Sequence, residues 1–559
     1  MDIYFSKRKL LINKLFNIVK YIRIRSKVML LQYKLLRLLT SKNLLKKNNR
    51  SNCTNSKTLF MLGQCINPSS VLDSLAVSES LLSTGFGKTD IYVCNGFLSV
   101  CEFSEPYGAD FKKNKNCNRC KSFAKKLINK ARDSTINVIS LGSIEIKPLY
   151  QKAIDSLVND LKSETSYKLL DREFLGVNLN EHIKSSFCRQ TLKGFPEVLL
   201  KNDYIRLEKI FINCVRMIAI QKTILSNKDY NRVIMPHGMY LLHGPLTDLC
   251  SMSSIDTSIY DAHYRRGSYL VSKGQTCHKQ FRDAFPLKIW DIELSKFETE
   301  KAKSYIFSKE KNMCLYDSHS YYKDQPEKHK ENILSVIKVD SNKKIYSLFT
   351  NVDWDAQLEY VGVAYNSQLE WIKSTIDFFT NSTDSELIIK IHPAELDSNK
   401  SHNSLYDPIH EYINNNNINI NNNNIHLLPH SLNVTSYDIM KLTSVSLVYG
   451  SNIALETTIR NIPTIVAGSC DFAQREIMYT PNNEHEYIKL LESDVKIFAD
   501  QVNKSIKFAY FYYFRMCQLS AWSSNLISLT PKIKKMTLAD KQDTAFAFIH
   551  GTGGFDKLN

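Results

Sequence analysis

The stretch ELIIKIHPAE, residues 386 to 395, is an apolar run broken by Lys390 that ends abruptly in His392-Pro393. Such a run reads as a buried strand. Proline has no N–H to give to a sheet ladder, so Pro393 stops the strand. His392 therefore stands at a strand's C-terminal end, with the Glu395 carboxylate just beyond it.

Similar short runs surround it: KIYSLFT (344–350), IHLLP (425–429), VSLVY (445–449) and PTIVA (463–467). Ahead of ELIIKI, Leu369, Ile372, Ile376 and Phe379 recur at helical spacing, and Ser367 with Glu370 makes a capping box at that helix's start. Further helices are expected near Ser436 and after Ser451. Strands separated by helices of this length require right-handed crossovers and a parallel sheet. The Asn-rich tract at 414–424 is expected to bulge from the surface as a loop.

Ligands of parallel sheets bind beyond the carboxyl ends of the strands. Three features fall there. One is His392 with Pro393. Another is YGSNIALE (449–456), where Gly450 and Ser451 turn a strand into a helix whose N-terminal N–H groups suit a phosphate, and where Glu456 can accept from a ribose diol. The third is FTNVDWDAQ (349–357), carrying Asp353 and Asp355. Each has a plainer reading: a turn histidine, an ordinary helix cap, a carboxylate complementing a helix dipole. Their convergence at one sheet edge favours a nucleotide site.

At 559 residues the chain is too long for one compact domain. Residues 1–57 form a basic amphipathic arm, 58–300 a first Rossmann-like domain, 301–340 a connector, 341–500 a second Rossmann-like domain, and 501–559 a C-terminal helical segment. In the first block TDIYVCNG, INVISLGS and RVIMPHG each read as a strand running into a turn. Of the net charge of +17, residues 1–50 supply fourteen Lys and Arg against Asp2, so the remaining chain, with 59 basic and 55 acidic residues, is nearly balanced. Within the arm Leu11, Leu15, Ile18, Val19 and Ile22 keep helical spacing among cations. That pattern suits an anionic membrane surface, although packing on the body of the protein or RNA binding fits it too. No run is long and apolar enough to span a bilayer. The thirteen scattered cysteines indicate a reduced, cytoplasmic protein. Cys94, Cys101, Cys117 and Cys120 form a zinc-like set by spacing, but a buried strand cysteine and a separate pair explain them as well, so no metal is favoured.

The run LIIKIHPAE … SYDIMKLTSVSLVYGSNIALETTIRNIPTIVAG, with SLFTNVDWDAQ before it, resembles the C-terminal half of bacterial capsule polysaccharide biosynthesis proteins, a glycosyltransferase-like family. MPHGMYLLHGPLTDLC, YDAHYRRGSYLVSKGQTCH and the Cys117-x-x-Cys120 pair are similar to first-half elements of some members, so the likeness spans roughly residues 58–500. It implies a GT-B arrangement, two Rossmann-like domains facing a cleft, with a nucleotide-sugar donor on the second. His-Pro is shared with related bacterial transferases that use cytidine-linked donors, including capsule Kdo and polysialic acid transferases and teichoic-acid glycerophosphotransferases.

On that footing Pro393, Glu395, Gly450, Ser451 and Glu456 would hold the donor. A protonated His392 would stabilise the departing phosphate without a metal. His237 in MPHG, or Asp355, would be the base for the acceptor hydroxyl. Where an Asp-Gly is expected after a first-half strand, the chain has Asn95-Gly96. The expected activity is glycosyl transfer in surface polysaccharide synthesis, to a glycan or lipid-linked acceptor, on the inner face of the cell membrane, with no cofactor and no nucleic-acid partner. A polyol-phosphate transferase and a non-catalytic assembly factor are the alternatives. If the arm is the membrane contact, deleting residues 1–50 releases the chain from anionic vesicles in a flotation assay, and high salt weakens binding of the full chain. Unaltered flotation after the deletion removes that role.

Overall fold

Short apolar runs alternating with amphipathic helices build two separate sheets. A computed structural model describes residues 56–101, 115–131, 136–163, 170–196, 198–265, 267–283, 285–310, 329–355, 362–395, 405–418, 424–429, 432–473, 475–520 and 536–552. The basic arm, up to residue 55, lies outside them, as do 311–328 of the connector and 419–423 of the Asn tract.

In chain order the strands are β1 (Lys57–Gly63), β2 (Lys88–Val93), β3 (Asn137–Ser140), a small hairpin of β4 (Glu173–Phe174) and β5 (Val177–Asn178), β6 (Arg232–Pro236), β7 (Asp256–Ala262) and β8 (Ser268–Lys273). The second half adds β9 (Lys344–Phe349), β10 (Ser385–Lys390), β11 (Ile425–Leu428), β12 (Val445–Val448) and β13 (Thr464–Val466), and β14 (Gln518–Leu519) follows. The first sheet runs β14-β8-β7-β6-β1-β2-β3, and the second β11-β10-β9-β12-β13. The second is wholly parallel. In the first, β3-β2-β1-β6-β7 are parallel, with β8 and β14 added antiparallel.

Both parallel sets therefore start at a central strand, grow outward on one side, and return to the other. That reversal leaves a crevice at the carboxyl ends of the two inner strands. In the first half the crevice lies between β1 and β6, and in the second between β9 and β12.

Local signals explain the helices. Ser367 accepts from the Glu370 N–H and opens the helix Gln368–Thr380, which buries Trp371, Ile372, Ile376 and Phe379 against the second sheet. Thr435 and Asp438 cap Ser436–Met440 reciprocally. Asn424, the last residue of the Asn tract, is buried and donates to Phe379 O and Ser385 O. That end of the tract is thus a bracket under β10 and not part of a surface bulge.

The two halves share one core. Phe281, Phe285 and Ile289, following the first sheet, pack in one cluster with Ile345, Phe349 and Val448 of the second. Phe285 stacks on Phe508 at 4.8 Å, and Arg475 donates to Phe281 O and Arg282 O. The helix Lys296–Glu310, in the expected connector region, packs against Ala499–Tyr510. The segment 501–559, set apart on sequence, is divided between the halves. The helix Ala499–Tyr510 belongs to the shared core, β14 extends the first sheet, and the helix Leu538–His550 lies on Pro68–Ser83 of the first half. There Phe548 is fully buried, 5.4 Å from the Tyr260 ring and 5.3 Å from Tyr269.

Phe548→Ala opens a cavity in the first half, so it is expected to lower stability by about 3 kcal/mol or more. A fall in urea midpoint is the readout, and an unchanged midpoint shows that the returning helix does not stabilise the first sheet.

Candidate functional site

The loops at both crevices meet across a cleft. After β6, the chain makes a tight passage in which His237, Gly238 and Tyr240 all take positive φ, 58°, 67° and 62°. Two of these are not glycine, and strain of this kind is held only where surrounding contacts over-determine it. His237 N–H donates to Tyr260 O, and its Nδ1 lies 3.0 Å from Asp261 Oδ1 at the end of β7. Burial disfavours the imidazolium, but the Asp261 charge and hydrogen bond outweigh it and raise the His237 pKa above its ordinary value. Burial likewise opposes the Asp261 charge, and His237 and His278 overcome it to keep that carboxyl low.

Across the cleft, the loop after β9 carries Asp353, Trp354 and Asp355. Gln368 fastens its start, accepting from Asn351 N–H and donating to Asn351 O and to Asp353. Asp355 reaches the first half, pairing with Arg189 at 3.3 Å and accepting from the Tyr240 hydroxyl at 3.4 Å. Arg189 lies over the Trp354 ring at 4.8 Å. The Asp355 charge raises the pKa of both His237 and His392. The three residues marked on sequence for catalysis thus stand around one cleft, with Asp355 acting on both rings.

His392 is where the strand-end reading put it, after β10. Its N–H donates to Thr350 Oγ1, and its carbonyl accepts from Glu395 N–H, so Pro393–Glu395 turns back beneath it. The Ala394 N–H donates to His392 Nδ1 at 3.1 Å. Burial lowers the ring's pKa to about 4, Asp355 opposing and Lys390 assisting. Burial thus disfavours the imidazolium, and the Ala394 N–H makes Nδ1 an acceptor, which leaves the proton of a neutral ring on Nε2.

The expected donor-binding residues divide. Asn351 Nδ2 donates to Gly450 O, which ties the two inner loops of the second crevice together. A Cβ on Gly450 would stand 2.6 Å from Ser469 O, so the neighbouring backbone by itself requires the glycine. Ser451 Oγ accepts only a long bond, 3.4 Å, from Ile453 N–H, and the helix that follows, Ile453–Ile459, has seven residues. Glu395 is buried. Glu456 is buried too, with Lys309 of the helix Lys296–Glu310 at 3.1 Å. The expected ribose contact for Glu456 gives way to this ion pair between linker helix and second domain, because a buried carboxylate needs a cation more than a diol.

Two features of the cleft carry no sequence motif. His182 Nε2 and Asp248 Oδ2 stand 2.7 Å apart, from two different helices. Gly244 admits that ring, since a Cβ there would lie 2.4 Å from His182 Nδ1. Asp353, noted on sequence without a role, has its carboxyl pushed up to about 7 by burial, with Gln368 opposing. Together with Trp354, Tyr240 and Thr247 these groups line a cavity of about 150 Å³. Only Asp248, a carboxylate in the otherwise apolar YLLHGPLTDL, stood out in the sequence. Cys94, Cys101, Cys117 and Cys120 line a different cavity.

No family model matches the chain, and no curated protein matches it. Among solved structures it is similar to the β-Kdo 2,7 transferase KpsC of Thermosulfurimonas dismutans, at 12% identity over 52% of this chain and 79% of that one, with a TM-score of 0.30. It is also similar to a UDP-GlcNAc 2-epimerase of Methanocaldococcus jannaschii solved with UDP-GlcNAc and UDP, at 12% identity over 82% and 99%, TM-score 0.27. A UDP-N-acetylglucosamine 2-epimerase from Listeria monocytogenes matches at 9% over 82% and 94%, TM-score 0.25. The strand orders define the class of this chain, an α/β protein with a GT-B-like pair of parallel sheets. Among the described residues no helix is long and apolar enough to cross a membrane.

Lys309→Met leaves the Glu456 charge buried without its cation and is expected to cost about 3–5 kcal/mol, while Lys309→Met with Glu456→Leu recovers most of that. Urea unfolding of the two variants measures it. Equal loss in both would show that the pair is not the source of the stability.

Proposed function

We propose that the chain is a glycosyltransferase that uses a nucleotide-activated sugar, with chemistry in the cleft between its two sheets. The observation that supports this most is the set of loops facing each other there: His237 on Asp261 from one sheet, His392 from the other, and Asp355 acting on both. The likeness of LIIKIHPAE and its neighbours to capsule polysaccharide proteins points the same way, toward a cytidine-linked donor and an acceptor destined for surface polysaccharide.

In this reading the acceptor oxygen attacks the anomeric carbon, the bond from that carbon to the phosphate oxygen breaks, and the nucleotide leaves with the electron pair. His237 Nε2 takes the acceptor proton, its ring held by Asp261 at Nδ1. His392 donates from Nε2 to the phosphate as it gains charge, as a neutral donor whose orientation is fixed by Ala394 and Thr350. Asp355 acts on both rings through its charge and holds Arg189, which lies over Trp354. Charge on the leaving group is met by these donors, so turnover requires neither added magnesium nor added manganese.

A panel of cytidine-, uridine- and guanosine-linked sugars is the first experiment. A donor at a hundred times its Kd raises stability by about 2.7 kcal/mol, a shift visible in thermal melts. His392→Ala is expected to cut turnover by about a hundredfold with folding intact. The pH profile separates the two histidines. His392 stays neutral above about 4, so it contributes no limb near neutrality. His237 works deprotonated and its pKa is raised, so activity climbs with pH through a value above the ordinary 6.5. Asp261→Asn removes the cause of that rise and moves the limb to lower pH. A limb unmoved by Asp261→Asn assigns the base elsewhere, and absence of a shift with every nucleotide sugar refutes the donor class.

A further inference from the structure

The cavity of about 150 Å³ has no part in the proton and phosphate chemistry, yet its lining starts at Gly238, the residue after His237. Its walls come from both halves: the helices Leu179–Thr191, Tyr240–Met252 and Cys277–Asp283 of the first, and Asp353 and Trp354 of the second. Gly274 keeps one side open, since a Cβ there would meet no atom within 4 Å. Pockets that enclose a drug-sized ligand run to roughly 300–1,000 Å³, so this one has room for a single ring. Its polar groups suit hydroxyls. His182 holds Asp248 through Oδ2 at 2.7 Å, which leaves Oδ1 to accept. Lys279 holds Glu181 through Oε1 at 3.4 Å, which leaves Oε2 to accept. Carboxylate oxygens only accept, and a hydroxyl that donates to them makes a charge-assisted bond. Trp354 adds an aromatic wall for the C–H face of a ring.

Building on the transferase reading, we propose that this cavity is the acceptor subsite, and that it takes one uncharged or amino-bearing sugar ring and refuses a carboxylated one. The two basic side chains that line it among the described residues already face carboxylates, Lys279 on Glu181 and His182 on Asp248. Arg189, outside the lining, is held by Asp355 at 3.3 Å. A sugar carboxylate entering here would meet Glu181 and Asp248 as like charges and find its possible cations already engaged. Taking such a charge out of water without a partner is costly, and that cost is what discriminates. A neutral ring has the opposite balance. Its hydroxyls donate to Asp248 Oδ1 and Glu181 Oε2, and an amino group gains from the same charges. Burial holds Asp353 nearer its neutral form, in which the carboxyl donates and so serves a sugar oxygen. Because Gly238 follows His237 directly, a ring seated here lies beside the proposed base.

The test is saturation-transfer NMR on the full chain with millimolar methyl glycosides of glucose, galactose, mannose, N-acetylglucosamine, glucosamine and glucuronic acid, alone and with cytidine or uridine monophosphate present. A signal is expected from neutral or amino glycosides and none from the glucuronide. Asp248→Ala removes a charged acceptor and is expected to weaken glycoside binding about tenfold or more. Glu181→Lys sets a second cation beside Lys279 and is expected to admit the glucuronide, a gain that misfolding cannot produce. Wild-type binding of the glucuronide on a par with the neutral glycosides overturns the proposal, as does glycoside binding unchanged in Asp248→Ala. Continued exclusion of the glucuronide by a folded Glu181→Lys chain overturns the selection by charge. Melts with nucleotide sugars separate this subsite from the reading beneath it. A donor shift with no glycoside signal overturns the subsite and leaves the transferase standing. Glycoside binding that Asp248→Ala weakens, with no shift from any donor, supports the sugar site and refutes the transferase.

Discussion

Parallel strands cannot be joined by tight turns. Each must be followed by a crossover that returns the chain to the starting edge, and every loop that leaves a strand's carboxyl end therefore emerges on the same side. The rest of this molecule depends on that constraint. Applied twice, with the strand order reversing at a central strand in each sheet, it sets two crevices and gathers there the loops after β6, β9, β10 and β12. His237, Asp355, His392 and Gly450 are 37 to 213 residues apart along the chain in pairs that no local interaction relates, yet all four lie in loops that the sheet geometry sends to one side.

Holding the halves in register is a separate task, and the chain spends its connecting segments on it. The helix Lys296–Glu310 carries Lys309 to Glu456, and Arg475 reaches back to the carbonyls of Phe281 and Arg282. The last helix returns to the first sheet, where Lys541 meets Glu79 at 2.6 Å. Two crossings between the halves limit how far they can separate, while the contacts at the cleft itself, Asp355 with Arg189 and Tyr240, are long and partly exposed. Exposed pairs of this kind contribute little to stability. What they do is bridge the cleft, joining the loop after β9 to the first half.

Burial decides the protonation of the site. His237 and His392 are the same side chain with opposite shifts, because burial opposes charge on both rings and only His237 has a carboxylate at Nδ1 that outweighs it. The first arrangement favours the imidazolium, the second the neutral ring. Asp353 is displaced toward neutrality by the same burial that lowers His392.

The sequence by itself determined the second sheet nearly strand by strand, the capped helix after Ser367, and the strand-end places of His237 and His392, because periodicity, caps and proline stops act over a few residues. It did not show β1, β7, β8 or β14; of these β8 and β14 pair antiparallel, and β14 comes from the chain's distant end. Nor did it show that Glu456 answers Lys309, 147 residues away, that His182 meets Asp248, or that Cys65 donates to Cys120. Nor did it show that burial works against a charge on His392. Tertiary structure alone decided these points, since which groups lose their water, and which partner each then finds, depends on what packs against them and not on what precedes them in the chain.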